Sequence, residues 1–308
     1  MVSSFTPDDS LIFNNKPIKI NPQNFQDIPE ISAEKTLAFV DGGQAEIIAA
    51  GNFSLGFIRV VAQFIRINKE QQEKTNLIKN EFYLLTTAKY QQNEIYYESK
   101  IFSLNSKLFD ENLLFLSSQD SSIKTSAERA PINKIANIAR RFAELSLAKI
   151  AAEQADFVLL DGTLESTFNN ENIFLQKLPE KVSALAKTSS LFTTSGNSPV
   201  VLLNKIGPKQ QWSYYVDKNT YFVKMHPQSK HIFRFERDKE LLPYLTENST
   251  DALFLGYPYG LILADKLARV SNEEKKSLKM IFLLRTENKE IAEYLTSSNA
   301  HEILDHLG

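Results

Sequence analysis

The stretch Thr36–Gly43, TLAFVDGG, is a short apolar run that ends in one aspartate followed by two glycines. A continuous apolar run of this length predicts a strand buried on both faces, as in the centre of an α/β sheet. The same order of residue types returns at Asp156–Leu164, DFVLLDGTL, where Asp161 and Gly162 follow a second apolar run. The sequence therefore predicts two central strands, each with a carboxylate, Asp41 or Asp161, at its end.

The overall composition is that of a globular protein. The 308 residues are 43% hydrophobic and 23% charged, and the formal net charge is −2. Because a freestanding nucleic-acid-binding domain is usually basic, this charge argues against tight autonomous DNA binding, although a local basic lining stays possible. The chain has no cysteine, which excludes disulfides, thiolate metal sites and a thiol nucleophile.

Targeting and membrane signals are not visible in the sequence. The first residues, MVSSFTPDDSLIF, lack the basic region and apolar stretch of a secretory signal peptide. No apolar run approaches the roughly 18 residues that a membrane helix needs. We therefore expect a soluble cytoplasmic protein that does not associate with a membrane.

The pattern of apolar residues predicts one interwoven α/β domain over residues 36–308, preceded by an irregular leader over residues 1–35 with a short strand at SLIFNN. A meander of strands is predicted first, followed by a long amphipathic helix over residues 132–155 and a partly helical segment over residues 171–187. Further strands are predicted at residues 199–206, 211–217, 220–226, 231–236 and 252–257. Further helices are predicted at residues 239–246, 260–270, 277–284 and 289–295.

Each Asp-Gly pair has two interpretations. Asp-Gly is a common turn dipeptide, so both aspartates could simply begin turns. An acid at the end of a buried strand is costly unless something compensates for it, and adjacent glycines leave room for a ligand or another backbone to approach. In open α/β sheets, ligands bind at the carboxyl ends of the strands. The repetition of the pattern favours a binding site at Asp41 and Asp161.

Two further acids, Glu144 and Asp265, lie on predicted helices. Glu144 could be a solvated partner of Arg140 or Arg141, and Asp265 could be an ordinary surface aspartate. If these acids instead meet Asp41 and Asp161, an all-carboxylate site with no cysteine favours a hard cation such as Mg²⁺ or Mn²⁺. Two such ions about 4 Å apart can activate water and stabilise the leaving oxygen of a phosphodiester.

A series of segments spread over residues 36–308 resembles the NurA nuclease family. In chain order they are FVDGG, IARRFAELSLA, FVLLDGTLE, LAKTSSLF, YFVKMHP with FRFE, and LGYPYGLILADKLARVS, and the tail NAHEILDHL also resembles that family. No single segment is specific, because an Asp-Gly pair after a strand is common. The ordered set is far more specific, and GYPYGLILADKLARV is its most telling part.

The resemblance implies an α/β fold with an RNase H-like mixed sheet core flanked by helices. It implies a nuclease that uses Mn²⁺ or Mg²⁺, acts on DNA in double-strand break end processing, forms a homodimer and works with a HerA-type hexameric ATPase. Carried onto this chain, the implied catalytic and metal-binding acids are Asp41, Glu144, Asp161 and Asp265, with Tyr257 as a further catalytic residue.

The chain departs from the family pattern at two positions. Gly43 stands where the family often has serine, and Asp265 stands where it often has histidine. A carboxylate in place of an imidazole adds negative charge to an acidic cluster and shifts the preference further toward oxygen-loving metals.

Three basic residues are candidates for contacting nucleic acid. The resemblance suggests Lys187 beside the phosphate path. Lys224 and Arg234 belong to the segment from Lys205 to Arg237, in which basic and aromatic residues alternate as they do in single-strand binding surfaces. The same alternation is also typical of a sheet with an aromatic core and a charged outer face.

Two other functions remain open from the sequence. A catalytically weak or inactive RNase H-like adaptor could keep the fold and bind nucleic acid or a ring ATPase, and the Asp265 departure motivates that alternative. A glycosidase with a carboxylate pair has no support beyond the presence of acids.

Overall fold

The computed structural model describes residues 10–13, 15–124, 129–187, 191–252 and 254–285. Within these ranges the strands are β1 Ser10–Phe13, β2 Lys16–Lys19, β3 Phe25–Asp27, β4 Lys35–Ala50, β5 Phe53–Ile67, β6 Gln72–Gln91, β7 Glu94–Ser103, β8 Leu116–Ser117, β9 Phe157–Asp161, β10 Val182–Ala186, β11 Phe192–Thr193, β12 Trp212–Asp217, β13 Thr220–Lys224 and β14 Phe233–Glu236. The helices are α1 Lys134–Ala151, α2 Asn172–Leu175, α3 Pro199–Ile206, α4 Leu242–Glu247, α5 Tyr259–Ala268 and α6 Asn272–Leu283.

The described strands form one large mixed sheet and one small sheet. The large sheet has 11 strands in the order β3-β12-β13-β14-β10-β9-β4-β5-β6-β7-β8, and the small sheet has the order β11-β1-β2. At the centre of the large sheet, β9 runs parallel to both β4 and β10, whereas β4, β5 and β6 form an antiparallel meander. The fold is therefore the predicted α/β architecture, with a mixed sheet flanked by helices.

The two faces of the central strands are covered by different helices. Along β4, Ala38 and Val40 belong to the apolar core that α1 covers, while Leu37 and Phe39 belong to the core that α5 covers. Alternate side chains of a strand point to opposite faces, so a strand covered on both faces reads as one continuous apolar run. This is the physical reason for the sequence TLAFV.

Small residues let both helices approach the sheet closely. The buried side of α1 includes Ala139, Ala143 and Ala148. On α5, a Cβ added to Gly260 would lie 2.2 Å from the ring of Phe39 on β4, so the helix can hold this position only with glycine there. The sheet thus lies between α1 and α5, with a separate core on each face.

The turn interpretation of the opening stretch is wrong. Strand β4 does not stop at Asp41, but continues through Gly42 and Gly43 to Ala50, paired with β5 along its length. The apolar pattern could not show this continuation because the second half of the strand is partly exposed.

Several other sequence predictions can be compared with the structure. The strand predicted at SLIFNN is confirmed over Ser10–Phe13. The strands over residues 212–236, the long central helix and the helices near residues 242, 260 and 277 are also confirmed. Residues 199–206 form helix α3 instead of a strand, and the segment 182–186, predicted as part of a helical region, forms β10. The strand predicted at residues 252–257 is a turn in its described residues, and the helix predicted at residues 289–295 lies outside the described residues. Short apolar runs do not by themselves distinguish a buried strand from a helix.

No helix in the described ranges is both long and apolar enough to cross a membrane. The division into a leader over residues 1–35 and a domain over residues 36–308 stays a prediction.

Candidate active site

Asp41 and Asp161 lie side by side on neighbouring parallel strands. The last paired residues of β4 and β9 are Val40 and Leu160, so the two aspartates follow at the same level of the sheet. Leu159 on β9 belongs, like Phe39 on β4, to the core under α5. Because side chains two positions apart share a face, both carboxylates belong to the α5 side of the sheet.

Asp41 is a buried acid among other acids. Its Oδ1 accepts a hydrogen bond from the backbone N–H of Gly42 at 2.7 Å. Burial raises the pKa of Asp41, and the charges of Glu144, Asp161 and Asp265 raise it further, to about 7. The three other predicted acids therefore lie within electrostatic reach of Asp41.

Glu144 reaches the site from α1, on the other face of the sheet. A Cβ added to Gly42 would lie 2.6 Å from the Oε1 atom of Glu144, so the glycine makes room for this carboxylate. Arg140 Nη1 donates to Glu144 Oε1 at 2.5 Å, and Arg141 Nη1 lies 4.0 Å from Oε2. Burial raises the pKa of Glu144, and the two arginines oppose that rise. The pairing considered from the sequence is present, but it is buried instead of solvated.

The glycines of the opening stretch therefore make room for protein groups. Gly42 leaves space for Glu144, and a Cβ added to Gly43 would lie 2.1 Å from the carbonyl oxygen of Ala268, the last residue of α5. Together they allow α1 and α5 to bring their acids to the same part of β4 from opposite faces.

Lys187 connects Asp161 with Tyr257. Lys187 Nζ donates to Asp161 Oδ2 at 2.6 Å and lies 5.1 Å from the centre of the Tyr257 ring. Tyr257 is buried, and its hydroxyl has no hydrogen-bond partner of good geometry among the described residues, although the Asp161 carboxylate is nearby. Burial raises the pKa of Tyr257 and the charges of Asp161, Asp41 and Asp265 raise it further, so the phenol keeps its proton.

Asp265 lies on α5 at the exposed side of the cluster. Its Oδ2 accepts a hydrogen bond from Arg269 Nη2 at 2.8 Å, one helical turn later. The side chain is about half exposed, yet its charge contributes to the raised pKa values of Asp41 and Tyr257. The structure therefore brings all five predicted catalytic residues into one region.

The donor set fits a hard cation, but the acids are held by basic side chains. No group of three or more histidine, aspartate or glutamate side chains in the described ranges is arranged to hold a metal ion. Glu144, Asp161 and Asp265 are paired with Arg140, Lys187 and Arg269, respectively. Asp41, by contrast, has no ion pair among these residues. Carboxylate oxygens are the ligands that Mg²⁺ and Mn²⁺ prefer, so the four acids fit such an ion if the ion pairs rearrange.

Two of the predicted nucleic-acid contacts are placed in the interior. Lys224 is 7% exposed and donates from Nζ to the carbonyl oxygen of Lys209 at 3.0 Å. Arg234 is 4% exposed and pairs with Glu165 and Glu236. A phosphate contact requires an accessible charge, so the assignment of Lys224 and Arg234 does not agree with the structure. Lys187 remains about half exposed.

A second group of charged residues was missed by the sequence interpretation. We call it the loop clamp, and it consists of Arg141, Glu171, Arg234 and Glu236. Arg141 pairs with Glu171 at 2.7 Å, and Arg234 pairs with Glu236 at 2.8 Å. Arg141, Glu171 and the Arg234–Glu236 pair are far apart in the chain, so their spacing carries no signal that the three meet.

The clamp holds the segment that directly follows Asp161. Glu171 Oε2 accepts from the backbone N–H groups of Thr167 and Phe168, and Glu236 Oε2 accepts from that of Leu164 at 2.6 Å. Arg141 Nη2 donates to the carbonyl oxygen of Thr163 at 2.5 Å. The strand end that carries Asp161 is therefore fixed by buried charges.

Comparisons with known proteins agree with this architecture. The family model described as NurA domain matches residues 35–270. A crystal structure of NurA has a TM-score of 0.52 at 8% sequence identity, and the match covers 87% of this chain and 92% of that chain. This likeness shows the fold. No protein with a curated description matches the chain.

Two further solved structures are less similar. The NurA nuclease from Sulfolobus solfataricus has a TM-score of 0.47 at 13% identity, covering 89% of this chain and 88% of that chain. The catalytic domain of human endonuclease V has a TM-score of 0.38 at 14% identity, covering 80% of this chain and 85% of that chain. Since the family model spans most of the chain and includes Asp41, Glu144, Asp161, Tyr257 and Asp265, the chain belongs to the NurA domain family.

Proposed function

We propose that this protein is a metal-dependent DNA nuclease that hydrolyses phosphodiester bonds. The observation that carries the proposal is the unbalanced charge at the centre of the sheet. Asp41 is buried beside three other acids, without an ion pair among the described residues, and its pKa is raised to about 7. Buried carboxylates are costly unless they are compensated, so such an arrangement favours the binding of a cation.

The ligands of the proposed metal site are Asp41, Glu144, Asp161 and Asp265, and the metal is Mn²⁺ or Mg²⁺. A bound ion of this kind lowers the pKa of water and stabilises charge on phosphate oxygens. The residues of the chain have complementary tasks. Tyr257, which keeps its proton, donates a hydrogen bond from its hydroxyl to a carboxylate or to the substrate. Lys187, released from Asp161, neutralises a backbone phosphate.

The broader setting of the activity is also proposed. Family membership supports double-strand break end processing as a homodimer, with a HerA-type hexameric ATPase as the partner. The sequence contains no phosphate-binding loop for ATP, so the energy for translocation would come from that partner. We place the protein in the cytoplasm, where this partner and chromosomal DNA are accessible.

The test is degradation of linear DNA by the purified protein with Mn²⁺, with Mg²⁺ and with excess EDTA. The expected result is degradation with either metal and none with EDTA. The variant Asp161→Asn should be inactive, whereas Asp217→Asn, which changes an exposed aspartate on β12, should keep full activity. Full activity of Asp161→Asn would refute the assignment of Asp161 to the metal site.

One observation favours a second candidate, the catalytically weak or inactive adaptor. Three of the four acids are already neutralised by basic partners, so the cluster can exist without a metal. Calorimetric titration with Mn²⁺ separates the two functions. Absence of heat, together with absence of cleavage both alone and with a HerA-type ATPase, would favour the adaptor.

A further inference from the structure

Next to the acid cluster, which consists of Asp41, Glu144, Asp161 and Asp265, lies a group of aromatic rings that extends from the interior to the surface. The rings of His231 and Phe254 are stacked, with centroids 5.1 Å apart and an interplanar angle of 18°. Phe254 meets Tyr257 edge to face, with centroids 5.5 Å apart. Tyr257 forms the buried end of this aromatic group, beside Asp161. At the other end, His231 is exposed and Phe254 is 42% exposed. Phe254 and His231 thus place exposed aromatic rings next to the proposed catalytic site.

The exposed pair is held by two turns that are locked together. Gly256 has a φ of +86°, and a Cβ added to it would lie 2.5 Å from the side chain of Ser229. Ser229 Oγ in turn accepts a hydrogen bond from the backbone N–H of His231 at 3.1 Å. The turn that carries Phe254 and the turn that carries His231 therefore pack against each other with little freedom, so the ring surface is preorganised.

One basic residue lies at each end of the aromatic group. Lys187 Nζ lies over the buried end of the aromatic group, at Tyr257, and the neighbour of His231 in the chain, Lys230, is exposed. Basic side chains that follow a phosphate backbone, combined with aromatic rings on which bases stack, are the arrangement that binds single-stranded nucleic acid. A base-paired duplex offers no free base face in its interior, so such a surface distinguishes unpaired from paired DNA.

We propose that Phe254 and His231 form a stacking platform for one unpaired nucleobase of the DNA strand whose phosphate lies at the acid cluster. This inference rests on the proposed function and specifies its substrate as a single-stranded or frayed DNA end. The platform binds the base next to the cleaved phosphate, and Lys187 contacts the backbone between them. Phe254 contacts Tyr257, and Tyr257 lies beside Asp161, so the exposed rings adjoin the proposed cleavage site. This position favours a nucleobase of the substrate over a protein side chain as the ligand.

The experiment measures DNA binding in EDTA, so that cleavage is absent and binding is recorded by itself. The probes are a single-stranded oligonucleotide and a blunt duplex of the same length, each labelled for fluorescence anisotropy. Phe254→Leu is expected to weaken single-strand binding roughly 5- to 150-fold, the range for loss of one base–aromatic stack, and to leave duplex binding unchanged. Phe254→Trp should restore single-strand binding because it restores the ring.

A matched control is Phe102→Leu, which removes an exposed phenylalanine on β7, three strands away from β4 in the sheet. It should bind both probes as the unaltered protein does. A 2-aminopurine base at the end of the single strand adds a spectroscopic signature. Its fluorescence should fall when the unaltered protein or Phe254→Trp binds, and should change little with Phe254→Leu.

The proposal is overturned if Phe254→Leu binds the single strand as tightly as the unaltered protein, or if it loses both probes equally. It is also overturned if the unaltered protein binds no single strand at micromolar concentration. These results are separable from the proposed function. If the unaltered protein cleaves DNA with a metal but Phe254→Leu binds both probes normally, the platform alone is refuted. If Phe254→Leu loses single-strand binding but the unaltered protein cleaves no DNA, the nuclease function alone is refuted.

Discussion

The acid cluster and the loop clamp are both buried groups of charge on the central sheet, but their charge balance differs. In the clamp, Glu171 is paired with Arg141 and Glu236 with Arg234, and each carboxylate also accepts backbone N–H groups. In the acid cluster, Asp41 has one backbone hydrogen bond and no ion pair among the described residues. The balanced group holds a segment in place, whereas the unbalanced group is the one where we propose that a cation binds.

The largest expected effect is on activity, in the acid cluster. Asp41→Asn removes one carboxylate from the centre of the proposed metal site while keeping its size. Since loss of an outer partner of a metal ligand already costs about 10- to 100-fold, we expect a loss of more than about 100-fold in metal-dependent DNA cleavage. The measurement is initial cleavage rate against Mn²⁺ concentration, beside the melting temperature.

The exposed variant Asp217→Asn is the control for Asp41→Asn and should cleave normally. Loss of activity can be assigned to loss of a ligand only if the variant is folded. The melting temperature of Asp41→Asn must therefore be at least that of the unaltered protein. A folded Asp41→Asn variant with normal activity would mean that the unbalanced cluster has no catalytic role.

The next effect is on stability, in the loop clamp. Arg234→Leu leaves Glu236 buried without its arginine, and removal of one partner of a buried pair costs about 3–5 kcal/mol. The free energy of unfolding, measured by urea denaturation, should fall by that amount. Arg66→Leu is the control: Arg66 is about half exposed and pairs at 3.7–3.8 Å, and such pairs contribute roughly 0–1 kcal/mol. Equal effects of the two variants would contradict the structural role of the clamp.

The third effect is a pH dependence of stability that belongs to Asp41. Its pKa in the folded protein is raised to about 7 from an ordinary value of 3.8, so between these values the folded state binds more protons than the unfolded state. The stability of the folded protein therefore falls as pH rises from about 4 to about 7 and levels off above that, by at most about 4 kcal/mol. The unaltered protein should lose stability over this window relative to Asp41→Asn, without added metal. Parallel curves for the two proteins would contradict the raised pKa.

The smallest effect concerns Lys187, which neutralises Asp161 in the absence of a metal. Lys187→Met removes a charge that competes with a cation for the Asp161 carboxylate. Since Lys187 is about half exposed, its pairing with Asp161 is weak, and we expect Mn²⁺ affinity to rise only about two- to fivefold in calorimetric titration. DNA binding should weaken in the same variant, because a phosphate contact is lost. Weaker Mn²⁺ binding in Lys187→Met would show that the lysine supports the metal site instead of competing with it.

Part of the fold and of the site could be predicted from the sequence. The continuous apolar runs before Asp41 and Asp161 predicted central strands, and the helical spacing around Phe142 predicted α1. Residues 199–206 were misassigned because eight mostly apolar residues suit either a strand or a helix. Lys224 and Arg234 were misassigned because an alternation of basic and aromatic residues does not show which of them are covered.

The sequence by itself determined the centre of the sheet and the family. An apolar run as dense as TLAFV is tolerated only where both faces of a strand are covered, so it required helices on either side. The order of this stretch and the other quoted segments along the chain was enough to indicate the NurA family, and the family model confirms this.

Only the tertiary structure decided how the acids are balanced. Glu144 reaches Asp41 because Gly42 leaves room for it, and Lys187 pairs with Asp161 across 26 positions of the chain. Burial and the surrounding charges, not sequence neighbours, raise the pKa of Asp41. Electrostatic energy depends on distance and solvent exposure, and for residues far apart in the chain these are set by packing alone.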